Sequence, residues 1–456
     1  MFLRFFDEGL AQASFLIACE RTREAAVVDP RRDIDIYASA AKQHGLTIAY
    51  AIETHIHADF VSGAREFAAI GARVVAGPGA DLQFDHHRAR HGEPLPLGDT
   101  SVEVLHTPGH TPEHISLVVR EPGQPVRLLS GDTLFVGAVG RPDLLGEDQA
   151  RTLAGQLYRS LFDVMLALPD TVEVHPGHGA GSLCGAGIGN EPHSTIGQER
   201  RFNPMLQHRS SEAFIAAVLA DLPETPGYFR RMKRVNHQGP PLLNLGAPVP
   251  APALIPPQSL GSALSSGTTL LDVRSSDAFG AGHLAGSVHI AFGAKVGYWA
   301  GWVLEPDSHI VVIADDEHHA VEVRRQLLRV GLDRVDGVAR GDVERWRAEG
   351  LPISSTPQIT VRDLLERLAG GSRPAVLDVR TSREWQGGHI EGAVHVPVGE
   401  VPARVSELPR GTEVAVICEG GFRSSLAVSL LERAGVGPVV NVTGGMFAYR
   451  TLELTR

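Results

Sequence analysis

The sequence predicts an α/β protein of three domains, and three observations carry that reading. Through the first half of the chain, apolar runs patterned as strands each end in a cluster of His, Asp and Gly. A proline-rich stretch, Leu245-Gly246-Ala247-Pro248-Val249-Pro250-Ala251-Pro252, separates that half from the rest. Beyond it, one pattern of roughly a hundred residues occurs twice, which implies a duplicated domain rather than a solenoid of short units. The domains are expected at 1–245, 256–355 and 357–456.

Composition narrows the function classes. At 456 residues the chain is long enough for several domains, each burying its own core. A net charge of −11 argues against a nucleic-acid surface and favours a soluble protein. Three cysteines make no disulfide framework, so a cytoplasmic, reducing setting is expected. The opening Met1-Phe2-Leu3-Arg4-Phe5-Phe6-Asp7-Glu8 is apolar but broken at once by charge. It reads as a first β-strand rather than a signal peptide, and no later stretch is apolar enough to span a bilayer.

The first domain carries the richest chemistry. The run 47–53 leads into Thr54-His55-Ile56-His57-Ala58-Asp59-Phe60, and 101–105 into Thr107-Pro108-Gly109-His110-Thr111. The run 126–129 leads into Ser130-Gly131-Asp132-Thr133-Leu134-Phe135, followed by Gly140-Arg141-Pro142-Asp143. Finally 171–174 leads into His175-Pro176-Gly177-His178-Gly179. Imidazoles and carboxylates at strand ends can converge on one rim of a sheet, where a metal sits. One His-x-His is weak evidence; the ordered set is strong. It resembles the metallo-β-lactamase superfamily, which implies an αββα sandwich with its metals at the edge of two sheets.

Position 60 discriminates within that superfamily. The dinuclear hydrolases read His-x-His-x-Asp-His, and here Phe60 replaces the last histidine. A second metal would keep Asp59, Asp132 and His178 at best, so one metal is favoured. Two histidines and one carboxylate leave open positions that suit non-haem Fe(II) and O2 better than closed tetrahedral zinc. The set resembles the persulfide dioxygenases of the superfamily. That resemblance implies one Fe(II) per chain on His55, His110 and Asp132, with zinc as a possible substitute. His57, Asp59 and His178 would then orient ligands, substrate or water, or hold a metal themselves. Arg141 is read either as a substrate carboxylate clamp or as the ion-pair partner of Asp143. Cys184, six residues beyond His178, is read either as a sulfur acceptor near the metal's mouth or as a packing cysteine. His114 is expected behind the ligands, and Cys19, after the strand-like Phe15-Leu16-Ile17-Ala18, in the core.

The two copies differ at one decisive loop. Leu271-Asp272-Val273-Arg274 matches Leu377-Asp378-Val379-Arg380, and Gly282-His283-Leu284-Ala285-Gly286 matches Gly388-His389-Ile390-Glu391-Gly392. In the second copy the strand-like run 413–417 leads into Cys418-Glu419-Gly420-Gly421-Phe422-Arg423-Ser424, and a helix is expected over 424–434. That turn can aim backbone N–H groups at the sulfur, while the helix N-terminus and Arg423 add positive potential that favours a thiolate. The plain alternative is a buried cysteine at a strand end. With Trp385 and Gly444-Gly445, this copy resembles a rhodanese, which carries sulfane sulfur as a cysteine persulfide on a loop formed by residues 418–424. In the first copy Ala314 falls opposite Cys418 and His319 opposite Arg423, and Asp315-Asp316-Glu317 fills the loop with carboxylates. That copy is expected to be inactive and to serve packing or an interface, which suggests a homo-oligomer.

Together the parts resemble a persulfide dioxygenase–rhodanese fusion. The resemblance implies oxidation of a small thiol persulfide (of glutathione, coenzyme A or a similar thiol) by O2 to sulfite and thiol. Cys418 would exchange sulfane sulfur with sulfite or thiosulfate; neither nucleic acid nor membrane is a partner. The rival enzyme is a dinuclear-zinc thioesterase of the hydroxyacylglutathione hydrolase type. A sulfur-binding or sensing protein is the reading from another class.

Overall fold

The structure, a computed structural model, describes residues 1–220, 222–244, 249–370 and 373–454. Of the proline-rich linker, 245–248 therefore lie outside the described residues. The chain divides into two compact units, Met1–Val249 with Leu328–Gly331, and Pro250–Leu327 with Leu332–Arg456.

In the first unit, one sheet is built from β1 (Phe2–Asp7), β2 (Gln12–Ala18), β3 (Glu24–Val28), β4 (Thr47–Ile52), β5 (Arg73–Ala76) and β6 (His87–Arg88), in that spatial order. The second sheet draws on β7 (Pro94–Leu97), β8 (Thr100–His106), β9 (Ile115–Arg120) and β10 (Arg127–Gly131). After a small hairpin of β11 (Leu134–Phe135) and β12 (Ala138–Val139), β13 (Glu173–Pro176) and β14 (Ser194–Thr195) complete it. Its order is β14-β13-β10-β9-β8-β7. The apolar start is a strand, as its pattern predicts.

Side-chain alternation explains the layers. Phe15 and Ile17 point from β2 into a core shared with Val102, Val104, Leu117 and Leu129 of the facing sheet. Leu16 and Ala18, one residue out of phase, pack outward with Tyr37 and Phe67 of two covering helices. On the far side, Val118, Leu128 and Val174 meet Ala154, Leu157 and Phe214. Because both faces of β2 are covered, all seven of its residues are buried. Two sheets with helices on both outer faces make the expected αββα sandwich. Among the described residues, no helix is long and apolar enough to cross a membrane.

The second unit holds both copies. In the first copy, β15 (Thr269–Asp272), β17 (Val288–His289), β18 (Ile310–Ala314) and β19 (Val335–Arg340) form a parallel sheet ordered β17-β15-β18-β19. The short β16 (His283–Leu284) and β20 (Ile353–Ser354) pair beside it. The second copy orders β21 (Gln358–Thr360), β22 (Ala375–Asp378), β23 (Val394–His395), β24 (Val414–Ile417) and β25 (Val439–Thr443) as β21-β25-β24-β22-β23. The duplication persists to single atoms. Arg274 folds its guanidinium onto Asp272 and the carbonyl of Gly282, and Arg380 does the same to Asp378 and Gly388. Register places Asp272 beside Ile313 and Asp378 beside Ile417, so Ala314 does stand where the second copy has Cys418.

Candidate functional site

In the first unit, four strand ends deliver the predicted residues to one edge of the two sheets. His55 follows β4, His110 follows β8, Asp132 follows β10 and His178 follows β13. His55 Nε2 lies 3.8 Å and His110 Nε2 3.6 Å from Asp132 Oδ2. All three side chains are buried, and these three atoms have no hydrogen-bond partner. Buried polar groups are almost always bonded, so three convergent orphans of this chemistry fit a metal ion.

The opposite edge of each of these three side chains is fixed by the protein. His55 Nδ1 donates to Thr54 Oγ1 at 2.9 Å, and that hydroxyl donates to Asp29 Oδ2 at 2.9 Å. His110 Nδ1 donates to the carbonyl of Arg141 at 2.8 Å. Each bond sets the tautomer that leaves Nε2 as a free lone pair. Asp132 Oδ1 accepts from His178 Nδ1 at 2.8 Å, which leaves Oδ2 for a metal. The backbone N–H of Asp132 donates to His114 Nε2 at 2.9 Å. Burial keeps His114 neutral, at about 3, so that nitrogen can accept. Gly177 permits this crowding, because a Cβ there would stand 2.7 Å from Asp132 Oδ1.

Electrostatics sort the remaining histidines. Burial and the other imidazoles push His55 well below its ordinary value. His178 also feels burial, but Asp132 and Asp59 carry it well above; its Nε2 lies 2.9 Å from Asp59 Oδ2. Burial would raise Asp132, yet His178 holds its carboxyl far below the usual carboxylate range. His57 presents one nitrogen to a pair of carboxylates, and its Nδ1 is a further buried atom without a partner. Its Nε2 sits 3.2 Å from Asp29 and 3.4 Å from Glu53, and against the cost of burial these hold its charge up to about 9. Phe60 is fully buried with its ring 4.3 Å from that of His57, so an apolar group occupies the position of the missing histidine.

Arg141 and Cys184 each carry two readings from the sequence. Arg141 is buried and its donors are taken by Asp143 in a fork, by the carbonyl of Leu183 and by Thr225. Asp143 is thus its ion-pair partner, one of the two roles read for it from the sequence. Cys184 is buried beside Asp59 and His178, with ligand-type atoms of the three within 4.8 Å of one another. Burial outweighs His178 and pushes its thiol up to about 12.

Sequence reading missed the residues behind the site. Asp29 ends the apolar Val27-Val28 run, a position like that of the other motifs, and could have been noticed. Asn236 and Lys233 carried no signal. Both lie on the helix Phe229–Gln238. Asn236 donates to the carbonyls of His57 and Phe60 and accepts from the backbone of Ser62, which fixes the His-x-His-x-Asp loop. Lys233 is lowered by burial, offset by Glu113 and Cys184, and it in turn depresses His110.

In the second unit, Cys418 follows β24 and is buried, and the helix Phe422–Arg433 begins two residues earlier than predicted. The Gly421 N–H donates to Cys418 Sγ at 3.1 Å, and Ser424 Oγ lies 3.5 Å from the sulfur. The backbone of Met446 and Phe447 holds the carbonyls of Cys418 and Glu419. Gly445 allows that approach, since a Cβ there would lie 2.4 Å from the Cys418 carbonyl. Glu419 pairs with Arg450 and comes within 3.6 Å of Arg380, while Gly420 is exposed. Arg423 has a carboxylate partner that the sequence did not suggest. Both ends of its fork are bound at 2.6 Å by Glu384, and its charge still interacts with Cys418.

Comparison with known proteins is consistent along most of the chain. The metallo-beta-lactamase superfamily profile matches residues 8–178, and the rhodanese-like domain profile matches 256–349 and 360–452. A crystal structure of a metallo-beta-lactamase from Staphylococcus aureus subsp. aureus COL is 34% identical with a TM-score of 0.65; the match covers 75% of this chain and 98% of that one. Mitochondrial persulfide dioxygenase ETHE1 of Bos taurus is 27% identical over 222 residues, 47% of this chain and 79% of its own. A hydroxyacylglutathione hydrolase of Polaromonas sp. is 30% identical over 266 residues, 49% of this chain and 94% of its own.

Proposed function

We propose, for a chain that belongs to the metallo-β-lactamase superfamily through its first domain and carries two rhodanese-like domains after it, an enzyme of sulfur metabolism that oxidises thiol persulfides and transfers sulfane sulfur. The observation that carries the reading is the set of three orphaned donors, two imidazole nitrogens and one carboxylate oxygen, beside a phenyl ring at position 60. Such a set suits a single Fe(II) with open positions. When bound, that iron supplies the activation of O2 that the side chains cannot provide. The overall reaction is RSSH + O2 + H2O → RSH + SO3²⁻ + 2H⁺, with oxygen reduced and the outer sulfur oxidised.

The chain's own residues do the rest. Thr54, the Arg141 carbonyl and His178 orient the three ligands. His178 holds a proton between Asp59 and Asp132. Lys233 adds positive potential at His110. At Cys418 an enzyme persulfide gives its outer sulfur to sulfite, making thiosulfate and returning the thiolate; the reverse direction uses the same groups. Gly421 N–H is the donor placed to hold the charged sulfur.

A second reading, a thioesterase with paired zinc, is favoured by the similarity to the hydroxyacylglutathione hydrolase and by Asp59, His178 and Cys184 lying together. Two variants test the primary reading. His110→Ala is expected to abolish oxygen uptake while sparing sulfur transfer, and Cys418→Ser to do the reverse. Oxygen uptake that survives in His110→Ala refutes the ligand assignment.

A further inference from the structure

The cysteine-less copy touches the helix that builds the cysteine loop, and the contact is polar, buried and specific. His289, at the end of β17, is fully buried. Its Nε2 donates to the Arg274 carbonyl at 3.0 Å, so Nδ1 carries the lone pair. Ser425 Oγ stands 2.8 Å from that Nδ1 and is its donor. The backbone N–H of His289 donates to Ser429 Oγ at 2.9 Å, and that hydroxyl donates to the Leu426 carbonyl. One residue of the first copy thus grips the first two turns of the helix Phe422–Arg433 at positions i and i+4, on one face. Glu432, one turn further, is held by Thr356 Oγ1 at 2.7 Å and lies 3.1 Å from His283 Nε2.

The gripped end is the end that faces sulfur. Ser425 adjoins Ser424, whose hydroxyl lies against Cys418 Sγ, and the Ser425 N–H bonds the carbonyl of Gly421, the residue that donates to the sulfur. The duplication supplies an internal control. In the second copy His395 makes the same Nε2 bond to a backbone carbonyl, that of Arg380, at 2.8 Å. His395 is only half-buried, stacked on Trp385, whereas His289 is sealed against serines of the other copy. The bond to the carbonyl is therefore the inherited framework of the domain, and the Nδ1–serine bond is an addition that joins the two copies.

We propose that His289 is a positioning residue for the Cys418 loop: the cysteine-less copy is the half of the sulfur-transfer site that fixes the helix N-terminus aiming Gly421 N–H and Ser424 at the sulfur. This rests on the sulfurtransferase reading of Cys418. Its consequence is kinetic more than thermodynamic. A loosened first turn misplaces donors that act on the charged sulfur, while substrate anions still reach the mouth of the loop.

The test compares full-length parent, His289→Ala, His289→Asn and Thr356→Val. Asparagine can place an acceptor oxygen near the position of Nδ1, and Thr356→Val removes a bond at the distant end of the same helix. With thiosulfate as donor and cyanide as acceptor, His289→Ala is expected to lower kcat about tenfold with KM for thiosulfate within twofold. His289→Asn should recover most of that loss, and Thr356→Val should leave kcat within twofold of the parent. Iodoacetamide labelling of Cys418, followed on its peptide, should slow in His289→Ala and recover in His289→Asn. Labelling does not need turnover, so a parent that transfers no sulfur sinks the sulfurtransferase reading while labelling still decides the positioning role. Equal labelling in all four proteins overturns the proposal. So does a loss in Thr356→Val that equals the loss in His289→Ala, because a general weakening of the interface would then explain both.

Discussion

Thr54→Val is the most direct probe of how the fold prepares the proposed metal ligands. Valine keeps the shape of threonine in a site with no exposure, so packing is conserved and only the hydroxyl is lost. That hydroxyl lies 2.9 Å from both His55 Nδ1 and Asp29 Oδ2, and it joins them. Without it, His55 can rotate or take the other tautomer, and its Nε2 ceases to be a reliable lone pair. Loss of such a partner costs about 10–100-fold in metal affinity. That range is about 1.4–2.8 kcal/mol. The backbone N–H of Thr54 still bonds Asp29 Oδ1 at 2.7 Å, so Asp29 stays in place. The apo protein should lose about 1–3 kcal/mol of stability, the penalty of a buried group left without its partner. Titration of apo protein with Fe(II) against a chromophoric chelator measures the affinity. Thr54→Ser, which restores the hydroxyl, should return it to within about threefold of the parent. Parent-like affinity in Thr54→Val would refute the argument that this hydroxyl sets the ligand.

Two further outcomes are expected. Phe60→His replaces the buried ring beside His57 with a nitrogen donor near Asp59 and should raise zinc content per chain, read by elemental analysis; unchanged content contradicts the argument from position 60. In the second unit, burial opposes the charge on Glu384, but Arg423 holds its carboxyl down from 4.5 to about 2. A lowered carboxyl gives stability that is complete above the ordinary value and is lost as pH falls through the lowered one. Glu384→Gln should therefore cost about 1–2 kcal/mol at neutral pH, discounted for a partly exposed pair. The gap from the parent should close between pH 4.5 and about 2, and a gap that persists at the lower limit contradicts the assignment.

What the sequence revealed and what it hid divide by range. Strand-end motifs were legible because an apolar run followed by His or Asp is a local pattern, and His55, His110, Asp132 and His178 do converge. Ala314 opposite Cys418 was legible because the repeat preserves register. Long-range partners were not. Asn236 reaches back to a loop 176 residues earlier, and Glu384 meets Arg423 across 39 residues. No spacing rule connects such pairs, which are chosen by tertiary packing. Arg423 illustrates this: its sequence position placed a charge near the sulfur, and nothing local announced the carboxylate from another helix that also pairs with it. The packing of the two copies into one unit was hidden for the same reason, since nothing local ties Ser425 and Ser429 to His289, 136 and 140 residues earlier.

The central claim is a single iron that oxidises a thiol persulfide. Protein purified without oxygen, reconstituted with Fe(II) and given glutathione persulfide answers it through metal content and oxygen uptake together. About one iron per chain, with O2 consumed in step with sulfite or thiosulfate formed, is the expected result. Two zinc ions per chain, no uptake and hydrolysis of an acyl-thioester would contradict it.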